Sequence, residues 1–203
     1  HRVTLAGVQA SDHITRTIQV RRTGFLLPDA LARIKSLTIH DVYEDLIHDE
    51  LRNQMIVADA LLCLEKGRCP LVLTERRGHL DYLARCLAPR VSNLVILTGG
   101  MRQRQREAAI SSLRQEGSRL VLATGRYLGE GFDDDRLDTL LLAMPISWKG
   151  TLSQYAGRLN RSRQGKREVT IYDYADLEVP MLKRMFQRRC RVYRKLGYEM
   201  RDE

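Results

Sequence analysis

The 203-residue chain has only four cysteines, Cys63, Cys69, Cys86 and Cys190, with no CxxC pair and no Cys–His group at zinc spacing. No metal ligand set is expected. The thiols read as reduced, buried groups of an intracellular protein, a disulfide between two of them being the alternative. No apolar run approaches the roughly 20 residues of a membrane span, so no membrane partner is expected. The first residues lack a basic region followed by an apolar stretch, which speaks against a signal peptide and for a cytoplasmic location. There is no internal repeat and no low-complexity tract. The chain opens at His1 without a Met, which points to a piece of something longer.

What is present suffices for a folded domain. Hydrophobic residues make up 43% and charged residues 29%, so a fibre and a disordered tail are both excluded. The 34 Lys and Arg against 25 Asp and Glu give a net charge of +9. Such a basic globule suits nucleic acid, phosphates or an anionic membrane surface. A machine that closes two lobes around a cofactor would need more chain than this.

Residues 1–40 read as a linker plus a strand leading into the domain. Ile18 and Val20 alternate with polar neighbours, and Pro28 ends the pattern. Residues 41–203 read as the domain itself. Ile47, Leu51, Met55, Ala58 and Leu62 predict one helical face over 41–66, with Gly67 as its cap. Short continuous apolar runs follow at 71–73, 94–97, 120–123 and 140–144, and a fifth strand is expected at 168–174. Continuous runs of this length fit strands covered on both faces. Helical segments at 78–87, 102–116, 151–161 and 179–196 lie between and after them. The alternation predicts an α/β fold, an open, mostly parallel sheet flanked by helices.

In such a sheet ligands sit beyond the carboxyl ends of the strands. The residues there are Thr74-Glu75-Arg76-Arg77, Thr98-Gly99-Gly100, Thr124-Gly125-Arg126 and Pro145-Ile146-Ser147-Trp148. Three of these four ends carry Thr beside Gly or Arg. Hydroxyls, backbone N–H groups and guanidinium forks are what phosphate oxygens pair with; the same residues also serve as ordinary turn formers. On the helix near Thr151, Gln154, Arg158 and Arg161 are spaced by four and three and so share a face. They face either an anion or solvent, in a basic stretch that continues through Arg163, Lys166 and Arg167. Gln154 has a second reading, as the closing residue of a capping box that begins at Thr151.

These strings resemble superfamily-two helicases. Gln154-Tyr155-Ala156-Gly157-Arg158-Leu159-Asn160-Arg161 matches the QxxGRxxR signature of their motif six. The run from Ala123 to Asp133, with Thr124 after a strand and Gly131-Phe132-Asp133 closing the loop, is similar to motif five. Leu71 to Thr74 looks like motif four, and Thr98-Gly99-Gly100-Met101 like the block between the two. Order and spacing agree from about residue 70 to 175. The strings GRYLGEGFDD and AMPISWKGTLSQYAGRLNR look most like DEAD/DEAH-type helicases of bacterial restriction and mobile-element defence.

The resemblance implies the second RecA-like lobe of an ATP-driven translocase of the P-loop NTPase class. ATP with Mg²⁺ would be bound mainly by a first lobe that is not in this chain. No GxxxxGK[ST] occurs here. Asp49-Glu50-Leu51-Arg52 mimics the acidic DExx motif only superficially, because it falls inside a predicted helix. Carried over by position, Arg158 and Arg161 would be arginine fingers and Gln154 would help place phosphate or water. Gly131 and Asp133 would lie on the nucleotide side. Thr98, Gly99, Thr124 and Gly125, with Arg76 and Arg126 as looser candidates, would hold a nucleic-acid backbone, DNA before RNA. The chain alone is expected to be inactive.

A non-enzymatic basic module on the same scaffold is the alternative, and the intact QxxGRxxR argues against it. The acidic run Asp133-Asp134-Asp135 reads on its own as a solvated loop. The last helix has an apolar side at Leu182, Phe186, Cys190, Tyr193 and Leu196. Its basic side collects Lys183, Arg184, Arg188, Arg189, Arg191, Arg194 and Lys195, open to nucleic acid or to the first lobe.

Overall fold

The computed structural model describes residues 14–34, 36–113, 117–125, 134–146, 149–161, 163 and 165–202. Its strands are β1 (Thr15–Arg22), β2 (Pro70–Thr74), β3 (Leu94–Leu97), β4 (Leu120–Thr124), β5 (Thr139–Leu142), β6 (Glu168–Ala175) and β7 (Glu199–Asp202). The helices among the described residues are α1 (Asp29–Ala32), α2 (Ile39–His48), α3 (Glu50–Glu65), α4 (Arg77–Leu87), α5 (Gln103–Leu113), α6 (Lys149–Leu159) and α7 (Pro180–Lys195).

The seven strands form one sheet in the order β3-β4-β2-β5-β6-β1-β7. Every pair is parallel, so the expected mostly parallel sheet is wholly parallel. The four apolar runs read from the sequence are β2, β4 and β5, which lie inside the sheet, and β3 at its edge. β2, β4 and β5 are buried or nearly so along their whole length, as strands covered on both faces must be. Leu113 of α5, Leu152, Tyr155, Ala156 and Leu159 of α6, and Val192 and Tyr193 of α7 pack on one face. Ile56, Val57 and Ala60 of α3 pack on the other with Leu80, Leu83 and Leu87 of α4. A third cluster joins Val42, Leu46 and Ile47 of α2 to Phe25, Met144, Leu182 and Met185.

Three expectations are corrected. β1, read as a strand leading into the domain, lies inside the sheet between β6 and β7, with Thr17, Ile18 and Val20 buried. The single helix over 41–66 is two helices. Asp49 breaks it with extended backbone and caps α3, its carboxylate accepting from the Arg52 amide at 2.7 Å. The break resets the helical phase. Leu51 is 74% exposed and Leu62 40% exposed, while Arg52, Asn53 and Asp59 are buried. Those polar groups turn inward because each has a partner: Asp176 for Arg52, His79 for Asn53, Tyr174 and Arg21 for Asp59. Arg189, assigned to the exposed basic side of α7, is 3% exposed. Its guanidinium forks onto both carboxylate oxygens of Asp173, at 2.7 Å each, and Tyr193 donates to the same carboxylate. The remaining cations of that side, from Lys183 to Lys195, are exposed.

Candidate functional site at the two ends of helix α6

The register places the strand-end threonines side by side. Thr74 pairs with Thr124, and Leu97, just before Thr98, pairs with Ala123, just before Thr124. Thr74 and Thr124 thus close neighbouring strands and Thr98 follows β3 at the same edge, with Gly99 and Gly125 directly after two of them and Arg76 two residues after Thr74. The hydroxyls differ in use. Thr98 is buried and its oxygen accepts from Arg77 Nη1 at 3.3 Å. Thr74 belongs to a buried relay. Asn53 donates its amide to the Ile47 carbonyl at 2.8 Å, so its oxygen accepts from His79 Nε2 at 2.8 Å. His79 Nδ1 then accepts from the Thr74 hydroxyl at 3.0 Å. Thr74 Oγ1 in turn accepts from the Arg76 amide at 3.3 Å. Burial, with the Arg52 and His48 charges adding to it, lowers the His79 pKa to about 3, so the ring stays neutral.

Arg76 is half-buried against α2. It donates to His40 Nδ1 at 2.7 Å, and its guanidinium lies 5.3 Å from the centre of the Tyr43 ring. The Tyr43 hydroxyl reaches across to the Pro145 carbonyl at 2.6 Å, and burial pushes it up to about 12. α2 therefore ties the ends of β2 and β5 together.

Helix α6 joins this edge through Tyr155, whose hydroxyl donates to the Gly125 carbonyl at 2.9 Å. A Cβ on Gly125 would lie 2.5 Å from Glu75 Oε1 and 2.8 Å from the Tyr155 oxygen, so only glycine fits there without displacing both. Desolvation raises the Glu75 carboxyl above its ordinary value, with Arg76 opposing that shift. α6 starts at Lys149, two residues before Thr151. Thr151 is thus inside the helix, and the capping-box reading of Gln154 falls. Gln154 is exposed, and Arg158 is half-buried on the same side.

α6 also ends earlier than expected, at Leu159. Arg161 is exposed and stands just beyond the helix, not on its face. The strands' amino ends are here: the Arg161 carbonyl accepts from Lys166 Nζ, which also donates to the carbonyls of Asp135 and Leu137 ahead of β5. Nearby, Arg119 is buried against Asp134, whose other neighbour is Arg136 at 3.5 Å. Asp134 is therefore not a solvated loop residue, whereas Asp135 is exposed beside Arg163 at 3.6 Å. Arg68 links Asp138, Glu168, Thr139 and Thr170 across the same edge. Arg126, Gly131 and Asp133 lie outside the described residues. Among those described, no group of three or more His, Cys, Asp or Glu comes together that could hold a metal ion.

Sequence reasoning overlooked Tyr155, Glu75, His79, His40 and Lys166. Tyr155 is an unspecified position inside QxxG. Lys166 stood in a basic run that reads as solvated. The others carry no periodic signal.

A wholly parallel sheet with these blocks at its strand ends defines a RecA-like lobe. The chain belongs to the helicase conserved C-terminal domain family, whose model matches residues 53–163, more than half of its length. Its fold is that of a RecA-like C-terminal helicase domain. Among curated proteins it is 24% identical over 139 residues to the transcript termination protein A18 of vaccinia virus (strain Ankara), covering 68% of this chain and 28% of that one. It is 26% identical over 133 residues to the ATP-dependent DNA helicase RecG of Borreliella burgdorferi, covering 57% and 19%. The chain thus spans less than a third of the length of these relatives. In fold it is similar to T4 UvsW, with a TM-score of 0.69, 17% identity, and 97% of this chain and 42% of that one covered. The C-terminal domain of the DEAD-box protein Dbp5 gives a TM-score of 0.63 at 15% identity, with 95% and 91% covered. No helix among the described residues is long and apolar enough to cross a membrane.

Proposed function

We propose that this domain is the C-terminal lobe of an ATP-dependent nucleic-acid translocase of the cytoplasm. In this reading residues 41–203 form the second RecA-like lobe, β1 from within residues 1–40 completes its sheet, and a first lobe lies upstream. The observation that carries it is the span of α6. Its Tyr155 is bonded to the Gly125 carbonyl at the carboxyl edge, while its exit loop at Arg161 is bonded to the amino edge, so one short helix connects two sites.

At the carboxyl edge, Thr98, Gly99, Thr124 and Gly125, with Arg76 and Arg126, hold the phosphodiester backbone. Backbone N–H groups, hydroxyls and guanidinium forks suit that ligand without reading base sequence. DNA is the first choice, supported by the likeness to RecG, an ATP-dependent DNA helicase. At the other end, Arg158 and Arg161 act as arginine fingers toward ATP. Gln154 orients phosphate or water, and Gly131 and Asp133 border the nucleotide. Guanidinium and amide donors fit a polyphosphate; the carboxylates that carry Mg²⁺ belong, in this reading, to the first lobe. Hydrolysis with both lobes present supplies the energy for translocation, and the domain alone turns over little ATP.

The test is ATP turnover of the longer parent chain with and without nucleic acid. Arginine fingers contribute roughly 10³–10⁵ in rate, so Arg161→Ala should lower nucleic-acid-stimulated kcat by at least about 10³ with the melting temperature kept. Near-unchanged turnover would refute the finger assignment. Salt-sensitive nucleic-acid binding by the isolated domain that ignores Arg161, together with that result, would establish a binding module instead.

A further inference from the structure

A buried lysine is costly to keep charged unless its three donors are all satisfied. Lys166, beyond the matched helicase segment, is 9% exposed and meets that condition wholly with backbone. Its ammonium donates to the carbonyls of Asp135 at 3.2 Å, Leu137, and Arg161 at 3.3 Å. These three acceptors come from two segments far apart in sequence. One carries Arg161. The other follows directly on the Gly131–Asp133 stretch and leads into β5. Asp134, Asp135 and Asp138 surround the ammonium and favour its charge, whereas Arg163 and desolvation oppose it, and desolvation is the largest influence.

We infer that Lys166 is a positioning residue, which holds the Arg161 backbone against the segment before β5 and so fixes the finger relative to the nucleotide border of the lobe. It touches no reacting group. It acts through Arg161, and the inference rests on the finger reading given above. The same exit loop is tied a second time through the Asn160 side chain, which accepts from Arg16 and Tyr198.

The test is a double-mutant cycle in the parent chain, because substitutions that act through one another do not multiply. A misplacement of about 1 Å in a catalytic group costs on the order of 10²-fold in rate. Lys166→Met should therefore lower nucleic-acid-stimulated kcat by about 10- to 100-fold while nucleic-acid affinity stays within about twofold. In the Arg161→Ala background the same change should lower kcat by less than about threefold. Hydrogen exchange gives a readout apart from activity. In Lys166→Met, amides of 134–138 and 160–166 should exchange faster together, and those of 71–77 and 94–101 should not.

If Lys166→Met does not fold, Lys166→Gln, which keeps a shorter donor, should fold and show the same non-multiplicative loss at smaller size. A kcat within twofold of the parent, or a full multiplication of the two losses, overturns the inference. A loss with Arg161→Ala but none at Lys166 overturns it alone. No loss with Arg161→Ala overturns the finger reading and this inference together.

Discussion

The two edges of the sheet are held together by different chemistry. At the carboxyl edge the ties around β2, β4 and α6 are neutral, Thr74 to His79 and Tyr155 to the Gly125 carbonyl, while the buried ion pairs Arg52–Asp176 and Arg189–Asp173 lie farther along, by β5 and β6. At the amino edge they are charged: Arg119 with Asp134, Arg68 with Asp138 and Glu168, Lys166 on three carbonyls. Neutral hydrogen bonds contribute about 1 kcal/mol each and can be remade when a loop moves. Buried charges are expensive to separate, so they fix what they hold. The difference matches the division of labour proposed for α6. The ends of β2 and β4, which would follow a sliding backbone, are tied softly, and the amino edge that would hold a finger is tied rigidly.

The strongest way to break this contrast is at Asp134. Arg119 is fully buried, and its Nε and Nη1 have no hydrogen-bond partner among the described residues, so Asp134 is what compensates its charge. Removing one partner of a buried pair costs about 3–5 kcal/mol. Asp134→Ala should lose that much in urea unfolding. Arg119→Met should lose less, since Asp134 keeps Arg136 at 3.5 Å. The double substitution should recover much of the single loss, because replacing both charges by apolar groups is often neutral. Equal losses in the two single variants would contradict the assignment of Asp134 as the compensating charge.

The carboxyl edge should instead be the acid-labile one. His79 is neutral when folded, with a pKa of about 3 against an ordinary 6.5. Below pH 6.5 the unfolded chain binds a proton that the folded chain refuses. Stability from this group is thus complete above pH 6.5 and falls as pH drops toward 3, with a slope of at most about 1.4 kcal/mol per pH unit. Unfolding free energies measured between pH 7 and 5 should show this slope. His79→Gln should flatten it. A wild-type profile that is flat in that window would remove the relay from the account.

Tyr155→Phe tests the softness directly. It deletes one neutral hydrogen bond and keeps the ring in the core, so about 1 kcal/mol should be lost. Hydrogen exchange should rise after β4 and stay unchanged at 134–138. A rise at both places would mean that the two ends of α6 are one rigid unit.

The fold is legible because β2 to β5 are continuous apolar runs, and even the edge strand Leu94–Leu97 is bounded correctly by its run. α3 was misread for a definite reason. Its apolar residues repeat on two overlapping faces, and the choice between them is made by Asp176 and His79, which are distant in sequence. β7 was missed because Glu199–Asp202 is polar and is a strand only by pairing with β1. At the site, QxxGRxxR located α6, but spacing alone carried the helix to Arg161. The actual exit at Leu159 and the Lys166 tie depend on carbonyls of a segment some thirty residues away, which no local pattern encodes.

The smallest effect expected is at Arg77. It opens α4, where a cation is opposed by the helix dipole, and its pair with Asp81 runs in the weaker order, cation before anion. Both side chains are well exposed, so the pair contributes little, and the bond to Thr98 at 3.3 Å is long. Arg77→Ala should therefore change stability by no more than about 0.5 kcal/mol in either direction. Set beside Asp134→Ala, it puts arginines of one sheet at opposite extremes: one exchangeable at the carboxyl edge, one locked at the amino edge. A loss above about 2 kcal/mol from Arg77→Ala would show that the ends of β2 and β3, too, are held by charge, and their contrast with the amino edge would collapse.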